Sequence, residues 1–380
     1  MKLNILSKHL FICFILILFL NCENKTEQSK ITDTSEVVEE DNSMFTDQNL
    51  TPETKALHNK LVNIAKKGVA FGHQDATAYG IGWKHAGFPS DSDVKKLTGD
   101  HPAVVGFEIG DLEIGREMNL DSVNFGLMKK LIQEAHQNGT IVTISWHANN
   151  PVTDGNSWDK TPAVAQILKD GEFRSKFEGY IEKVAGFFLD LKDKDGNLIP
   201  IVFRPWHEMT GSWFWWGGEN RTTEEYKQLF RETVELLRDK HNVHNLLYAY
   251  STDKIYHNTE YMENYPGDEW VDMFGIDIYD SGNNDYVKMT TNALELIKYI
   301  AASKNKPFSF TETGREKIPE NNWWTDTFYE AIKNSGASYA LVWRNANKGH
   351  HYVPFEGHNS AQNFIEFVNK EDILLQKDIQ

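Results

Sequence analysis

Two glutamates stand where they could break a glycosidic bond. The stretch Ile201–Gly218, IVFRPWHEMTGSWFWWGG, begins as a short apolar run, gathers Arg204, His207 and Glu208, and then opens into a tryptophan-rich loop. Ile201–Phe203 reads as a buried strand. Pro205 lacks the N–H that a central ladder needs, so pairing is predicted to weaken there. Glu208 is then at the C-terminal end of a strand with aromatic faces beyond it. Sugar rings stack on such faces, and a glycosidic oxygen needs a proton donor before it can leave. The simpler alternative is a lidded strand end at which Glu208 only pairs with Arg204. The second carboxylate, Glu312, follows the apolar run Pro307–Thr311. A pair of carboxyl groups about 5–5.5 Å apart cleaves with retention, and a pair about 6.5–9.5 Å apart admits a water and inverts. Residue spacing leaves that choice open.

The elements that must position these groups alternate along the chain. Short apolar runs at Val69–Gly72, Ala103–Ile109, Thr140–Trp146, Pro200–Phe203, Asn245–Tyr250, Val271–Ile278, Pro307–Thr311 and Ser338–Val342 read as strands. Helical patterns lie before and between them at Pro52–Lys67, Asp91–Thr98, Asp121–Gln137, Pro162–Leu191, Thr223–Lys240, Tyr286–Ser303 and Trp323–Asn334, with a last one at Ser360–Asn369. Thr222 and Thr223 before Glu224 and Glu225 mark a helix start, and Gly139 marks a helix end. Strands this continuously apolar are covered on both faces. Eight such units predict a single-domain α/β protein, a (β/α)8 TIM barrel whose active site lies at the strands' C-terminal ends. The rival is an open doubly wound sheet, but no glycine-rich phosphate fingerprint follows any strand.

Every predicted strand end carries polar or aromatic residues: His73, Gln74 and Asp75; Glu108, Asp111 and Glu113; His147, Asn149 and Asn150; Arg204, His207 and Glu208; Ser251, Thr252 and Asp253; Asp277, Tyr279 and Asp280; Thr311 and Glu312; Trp343, Arg344 and Asn345. Of the loop acids among these, Asp111, Glu113, Asp253 and Asp280 read as ordinary solvated acids, with distal sugar contacts as the alternative.

The motif Arg204-Pro-Trp-His207-Glu208-Met-Thr-Gly-Ser-Trp213-Phe-Trp-Trp216-Gly and the later Thr311-Glu312-Thr-Gly resemble those of glycoside hydrolase family 26, best known for endo-β-1,4-mannanases. The resemblance runs from Gly72-His73-Gln74 to Trp343-Arg344-Asn345. It implies a retaining mechanism with Glu208 as acid/base, Glu312 as nucleophile and no cofactor. It also implies substrate contacts from His147, His207, Trp213, Tyr279, Trp343 and Arg344, with Tyr279 bonded to the nucleophile and Trp343 beneath the sugar at the cleavage point. Arg204 is expected to support these groups. The expected substrate is β-mannan or manno-oligosaccharide. The alternatives are a mixed-linkage glucanase or xylanase of the same mechanism, and a non-catalytic carbohydrate-binding surface lipoprotein, which would have no reason to keep both glutamates.

Composition narrows the rest. The 380 residues are 40% hydrophobic and 12% aromatic, enough for a large core, and the net charge of −16 argues against a nucleic-acid partner. Lys2, Lys8 and the apolar run Phe11–Leu20 form a secretory signal, too short to span a bilayer comfortably. Cys22 follows as a lipidation site, although Asn21 and Phe19 depart from the usual lipoprotein pattern. The expected organisation is a signal peptide over 1–21, a flexible polar tether over 22–50, a catalytic domain over 51–372 and a tail over 373–380. The product is a monomer, lipid-anchored in a bacterial cell envelope. The only other cysteine, Cys13, lies in the signal, so the mature domain has no disulfide. No metal site is expected: His207-Glu208 lacks a second histidine four residues on, and the adjacent His350 and His351 suit an exposed loop.

Overall fold

The computed structural model describes residues 45–380. The expected signal peptide, Cys22 and the tether as far as residue 44 lie outside the described residues. Eight parallel strands form the centre: β1 (Val69–Gln74), β2 (Val104–Glu108), β3 (Ile141–Trp146), β4 (Ile201–Pro205), β5 (Leu246–Thr252), β6 (Met273–Tyr279), β7 (Phe308–Gly314) and β8 (Tyr339–Val342). Each pairs with the next, and β8 returns to β1 through Ala70–Tyr339 and Gly72–Leu341, so the sheet closes. With helices between the strands, this is the predicted (β/α)8 barrel. Pro205 acts as foreseen on one side only. The β4–β5 ladder stops at Phe203–Tyr248, whereas the β3–β4 ladder continues to Trp146–Pro205.

Side-chain alternation gives the barrel its polarity. One set of strand residues, Phe71, Val105, Ile144, Phe203, Tyr248, Phe274, Phe310 and Val342, joins the large cluster formed with the surrounding helices. The alternate set, Ala70, Val104, Ile141, Val202, Leu247, Met273 and Tyr339, fills the bottom of the barrel against Leu57, Leu61 and Ile64. These three belong to the helix Pro52–Ile64, which caps the barrel there. Further up, the inward positions change character, to Glu108, Ser145, Arg204, Ser251 and Asp277, all buried. A dry apolar floor therefore carries a charged upper layer.

Residues 45–50, assigned to the tether, are instead packed into the domain. Thr46 bonds Asp272 through both its N–H (3.0 Å) and its hydroxyl (2.9 Å), Arg238 donates to the Thr46 carbonyl, and Leu50 is buried in the barrel floor. The expected tail is also structural: Ile373–Leu374 adds a short parallel strand beside Val69–Ala70. The helix expected over Pro162–Leu191 is broken into Val164–Ile167 and Arg174–Asp190. A turn at Gly171 separates them, where a Cβ would lie 2.2 Å from the Gln166 carbonyl oxygen. Thr222 does cap the helix Thr223–Glu235, reciprocally with Glu225.

Candidate active site

Two backbone irregularities aim the two carboxylates. In β7, Phe308 and Phe310 pack outward, so strict alternation would turn Glu312 outward too. The register prevents this. Ile276 pairs with Phe310, but Asp277 pairs with Glu312, leaving Thr311 as an extra residue, and a matching shift occurs against β8. This bulge returns Glu312 to the barrel mouth, a device common beside active sites. At the end of β4, Trp206 and Glu208 both adopt left-handed backbone angles, φ 54° each. Such residues cost about 1–3 kcal/mol each and persist only when held. Trp206 is held by full burial, by its indole N–H on Thr233 and by Tyr226 on its carbonyl. Glu208 is held by its N–H on the Ser251 carbonyl, 2.9 Å away.

The carboxylates have different partners. Glu312 accepts from the Arg204 guanidinium (2.5 Å) on one oxygen and from the Tyr279 hydroxyl (2.6 Å) on the other. Arg204 reaches across β5 to Asp277 as well, at 2.5 Å, and Asp277 in turn accepts from Ser251 and Thr311. The Tyr279 hydroxyl is pushed well above its ordinary range by burial and by the Glu312 charge, so it remains a donor. A cation and a phenol proton thus occupy the two oxygens of Glu312. Among the described residues Glu208 has one side-chain donor, the Trp213 indole N–H at 2.7 Å. Burial first, then the charges of Glu312 and Asp277, push Glu208 well above the usual carboxylate range, against the pull of Arg204 and Trp213. Gly211 makes the Trp213 contact possible, since a Cβ there would lie 2.1 Å from the indole.

A cavity of about 430 Å³ joins these groups; His147, Glu208, Trp213, Tyr279, Glu312 and Trp343 all face it, with Trp158 and Phe214 beside them. Two carboxyl groups thus meet at one opening, walled by aromatics. The sequence model of glycosyl hydrolase family 26 matches residues 46–353.

The chain belongs to that family. It is 43% identical to a GH26 beta-mannanase from Bacteroides ovatus of known structure, covering 86% of this chain and 96% of that one with a TM-score of 0.84. It is 34% identical to a mannan endo-1,4-beta-mannosidase of Bifidobacterium adolescentis over 88% of this chain, but spans only 36% of that longer protein. A Bacillus subtilis protein of the same description is 31% identical over 70% of this chain and 75% of its own length.

Among family 26 site residues inferred from sequence, His147, Trp213, Tyr279 and Trp343 face the cavity with both glutamates. Arg204 is buried and bridges Asp277 and Glu312 without lining the cavity. His207 is placed differently. It is 1% exposed, behind His147, with the two Nε2 atoms 3.3 Å apart and the Trp216 indole on its carbonyl. Burial, Arg204 and His147 together push its imidazole well below the ordinary value, so it is neutral. Arg344 lies in a neighbouring cavity of about 620 Å³ after β1, β2 and β8, paired with Asp121 at 2.8 Å and bonded to Tyr79. Tyr79 and Trp83 reach that cavity on a small hairpin, Tyr79–Gly80 with Trp83–Lys84, that strand periodicity is too short to reveal.

Sequence reasoning named Glu108 only as a strand-end residue. The structure makes it the anchor of His147. Its carboxylate accepts from Gly110 N, His147 N, the Ser145 hydroxyl and His147 Nδ1, all between 2.5 and 2.7 Å. Burial opposes charge on His147, but the Glu108 carboxylate outweighs it and raises the imidazole above its ordinary value. That fixes Nδ1 as the donor to Glu108, while Nε2 meets His207 Nε2 at 3.3 Å. Three acids expected to be solvated are buried instead. Glu113 accepts from Asn149 and the Trp146 indole, Asp280 accepts from the Trp323 indole, and Asp253 lines the cavity, lifted to about 6 by burial.

Proposed function

We propose that this chain is a retaining endo-β-1,4-mannanase. The observation that carries the chemistry is the contrast at one cavity between Glu312, doubly hydrogen-bonded as an anion, and Glu208, kept protonated by a dry and negative setting. In the first step a Glu312 oxygen attacks the anomeric carbon. Glu208 gives its proton to the glycosidic oxygen, and the carbon–oxygen bond breaks to release the leaving chain. Forming the glycosyl ester removes the Glu312 charge, and with it one cause of the high Glu208 affinity for protons. Glu208 then takes a proton from water as that water's oxygen attacks the same carbon and the ester bond breaks. Mannan as substrate is supported by family membership and by the relatives named mannan endo-1,4-beta-mannosidase.

Digestion of linear mannan, galactomannan, glucomannan, mixed-linkage glucan and xylan tests this directly. We expect internal cleavage of the first three, with products released first as the β-anomer. Turnover confined to glucan or xylan would overturn the mannan assignment, and α-anomeric products would overturn retention. We further propose that the protein is anchored in the cell envelope by a lipid on Cys22 and acts as a monomer; the apolar run Phe11–Leu20, which ends two residues before that cysteine, supports the anchor. Mass spectrometry of the mature N-terminus should find acylated Cys22, and an unmodified cysteine or another cleavage point would exclude the anchor.

A further inference from the structure

A second cavity, of about 420 Å³, lies after β5 and β6 and shares Lys254 and Tyr279 with the catalytic one. Its floor is apolar, from Met289 and Leu296 of the helix Tyr286–Ser303, and its rim is polar, including Lys254 and Asn283. At the rim stands Tyr256, 67% exposed although its neighbour Ile255 is 4% exposed. The loop around Tyr256 is fixed: its N–H donates to Glu260 at 2.7 Å. The facing loop is fixed too, since Gly282 N–H bonds Asp280, which itself holds the Trp323 indole. An exposed phenol ring on a backbone held in place, beside an apolar floor and a polar rim, is the chemistry that takes up a pyranose, and the volume falls within the roughly 300–1,000 Å³ of small-ligand pockets.

The geometry points to this cavity as the site for the leaving-group side of the chain, a binding site for mannosyl units beyond the one next to the cleaved bond, with Tyr256 and Asn283 as specificity-determining residues. The assignment rests on the mannanase reading above. Its direction follows from topology. The Arg344 cavity opens after β1, β2 and β8, next in the chain to Trp343, while the Tyr256 cavity opens after β5 and β6, across the closed barrel. Glu208, the proton donor to the departing oxygen, follows β4 and hydrogen-bonds the β5 residue Ser251. Trp343 directly follows β8, and the nucleophile lies on β7. The glycone is thus held on the β7–β8 side, and the departing chain leaves over β5 and β6.

The test compares kcat/KM on an aryl β-mannobioside, whose leaving group is too short to reach this cavity, with kcat/KM on mannohexaose. For Tyr256→Ala and for Asn283→Ala we expect mannohexaose cleavage to fall by about tenfold for the tyrosine and less for the asparagine, while the aryl substrate changes by less than about twofold. The sites of cleavage in mannohexaose should also shift so that fewer sugars depart on the leaving side. Unchanged mannohexaose cleavage in both variants, or equal losses on both substrates, would overturn the assignment while leaving the mannanase reading intact. A wild-type protein inert toward both substrates would overturn that reading and this one with it.

Discussion

The ends of β4 and β7 present the same functional group to one cavity and prepare it for opposite tasks. Glu312 comes from a strand and is turned inward by one extra residue, so its position is set by the ladder on both sides. There it meets a cation and a phenol. Glu208 lies beyond its strand, in a turn with two left-handed residues, and meets one indole N–H and two negative neighbours. The strand-borne group is wired for charge, and the turn-borne group is dried so that it keeps a proton. Role is therefore assigned by surroundings and not by residue type.

The comparison breaks most completely at Glu312. Glu312→Ala should lower kcat on mannan by about 10⁴-fold or more, with circular dichroism and oligosaccharide binding little changed. Substantial residual turnover would remove the nucleophile from β7. Glu208→Ala should be milder and selective. Loss of a general acid costs about 10²–10⁴-fold on a polysaccharide, whose leaving group needs the proton, and far less on an aryl glycoside with a good leaving group. Equal losses on both substrates would mean that Glu208 is not the acid.

Arg204 tests the support beneath both groups. It is 3% exposed and bridges Asp277 and Glu312, so Arg204→Met would leave two buried carboxylates without their cation. We expect a loss of about 3–5 kcal/mol in urea unfolding, with a lower Tm, because breaking a buried ion pair costs more than the pair contributes. A variant as stable as the parent would show that water enters the layer and that the barrel mouth is not dry.

The strands and both glutamates were legible because each rests on a local signal: an apolar run of strand length, with Glu312 directly after one and Glu208 five residues after another. What stayed hidden depends on register or on distance across the barrel. The bulge at Thr311 leaves no mark in composition, since Phe308–Thr311 reads as an unbroken strand. The Glu108–His147 bond joins residues 39 apart, and the acid ends its own strand like any other polar cap. His207 looked like a substrate contact because it precedes Glu208. The left-handed turn separates them, sending Glu208 into the cavity and His207 behind His147. Glu113 and Asp280 looked solvated because loop acids usually are, yet indole and amide donors on other loops bury them.

The smallest expected effect gives the sharpest test of how Glu208 is tuned. The Trp213 N–H donates to the Glu208 carboxylate, which favours the charged form and holds its proton affinity down against burial and the negative neighbours. Trp213→Phe keeps an aromatic wall and removes only that donor. The Glu208 pKa must then rise, so the acid form persists to higher pH. The alkaline limb of the pH profile for mannan cleavage should move up by about one unit or less. The change should be confined to that limb, since the donors to Glu312 are Arg204 and Tyr279 rather than Trp213. An alkaline limb that stays in place or moves down would show that it does not report the Glu208 proton, and the division of labour between the two carboxylates would have to be redrawn.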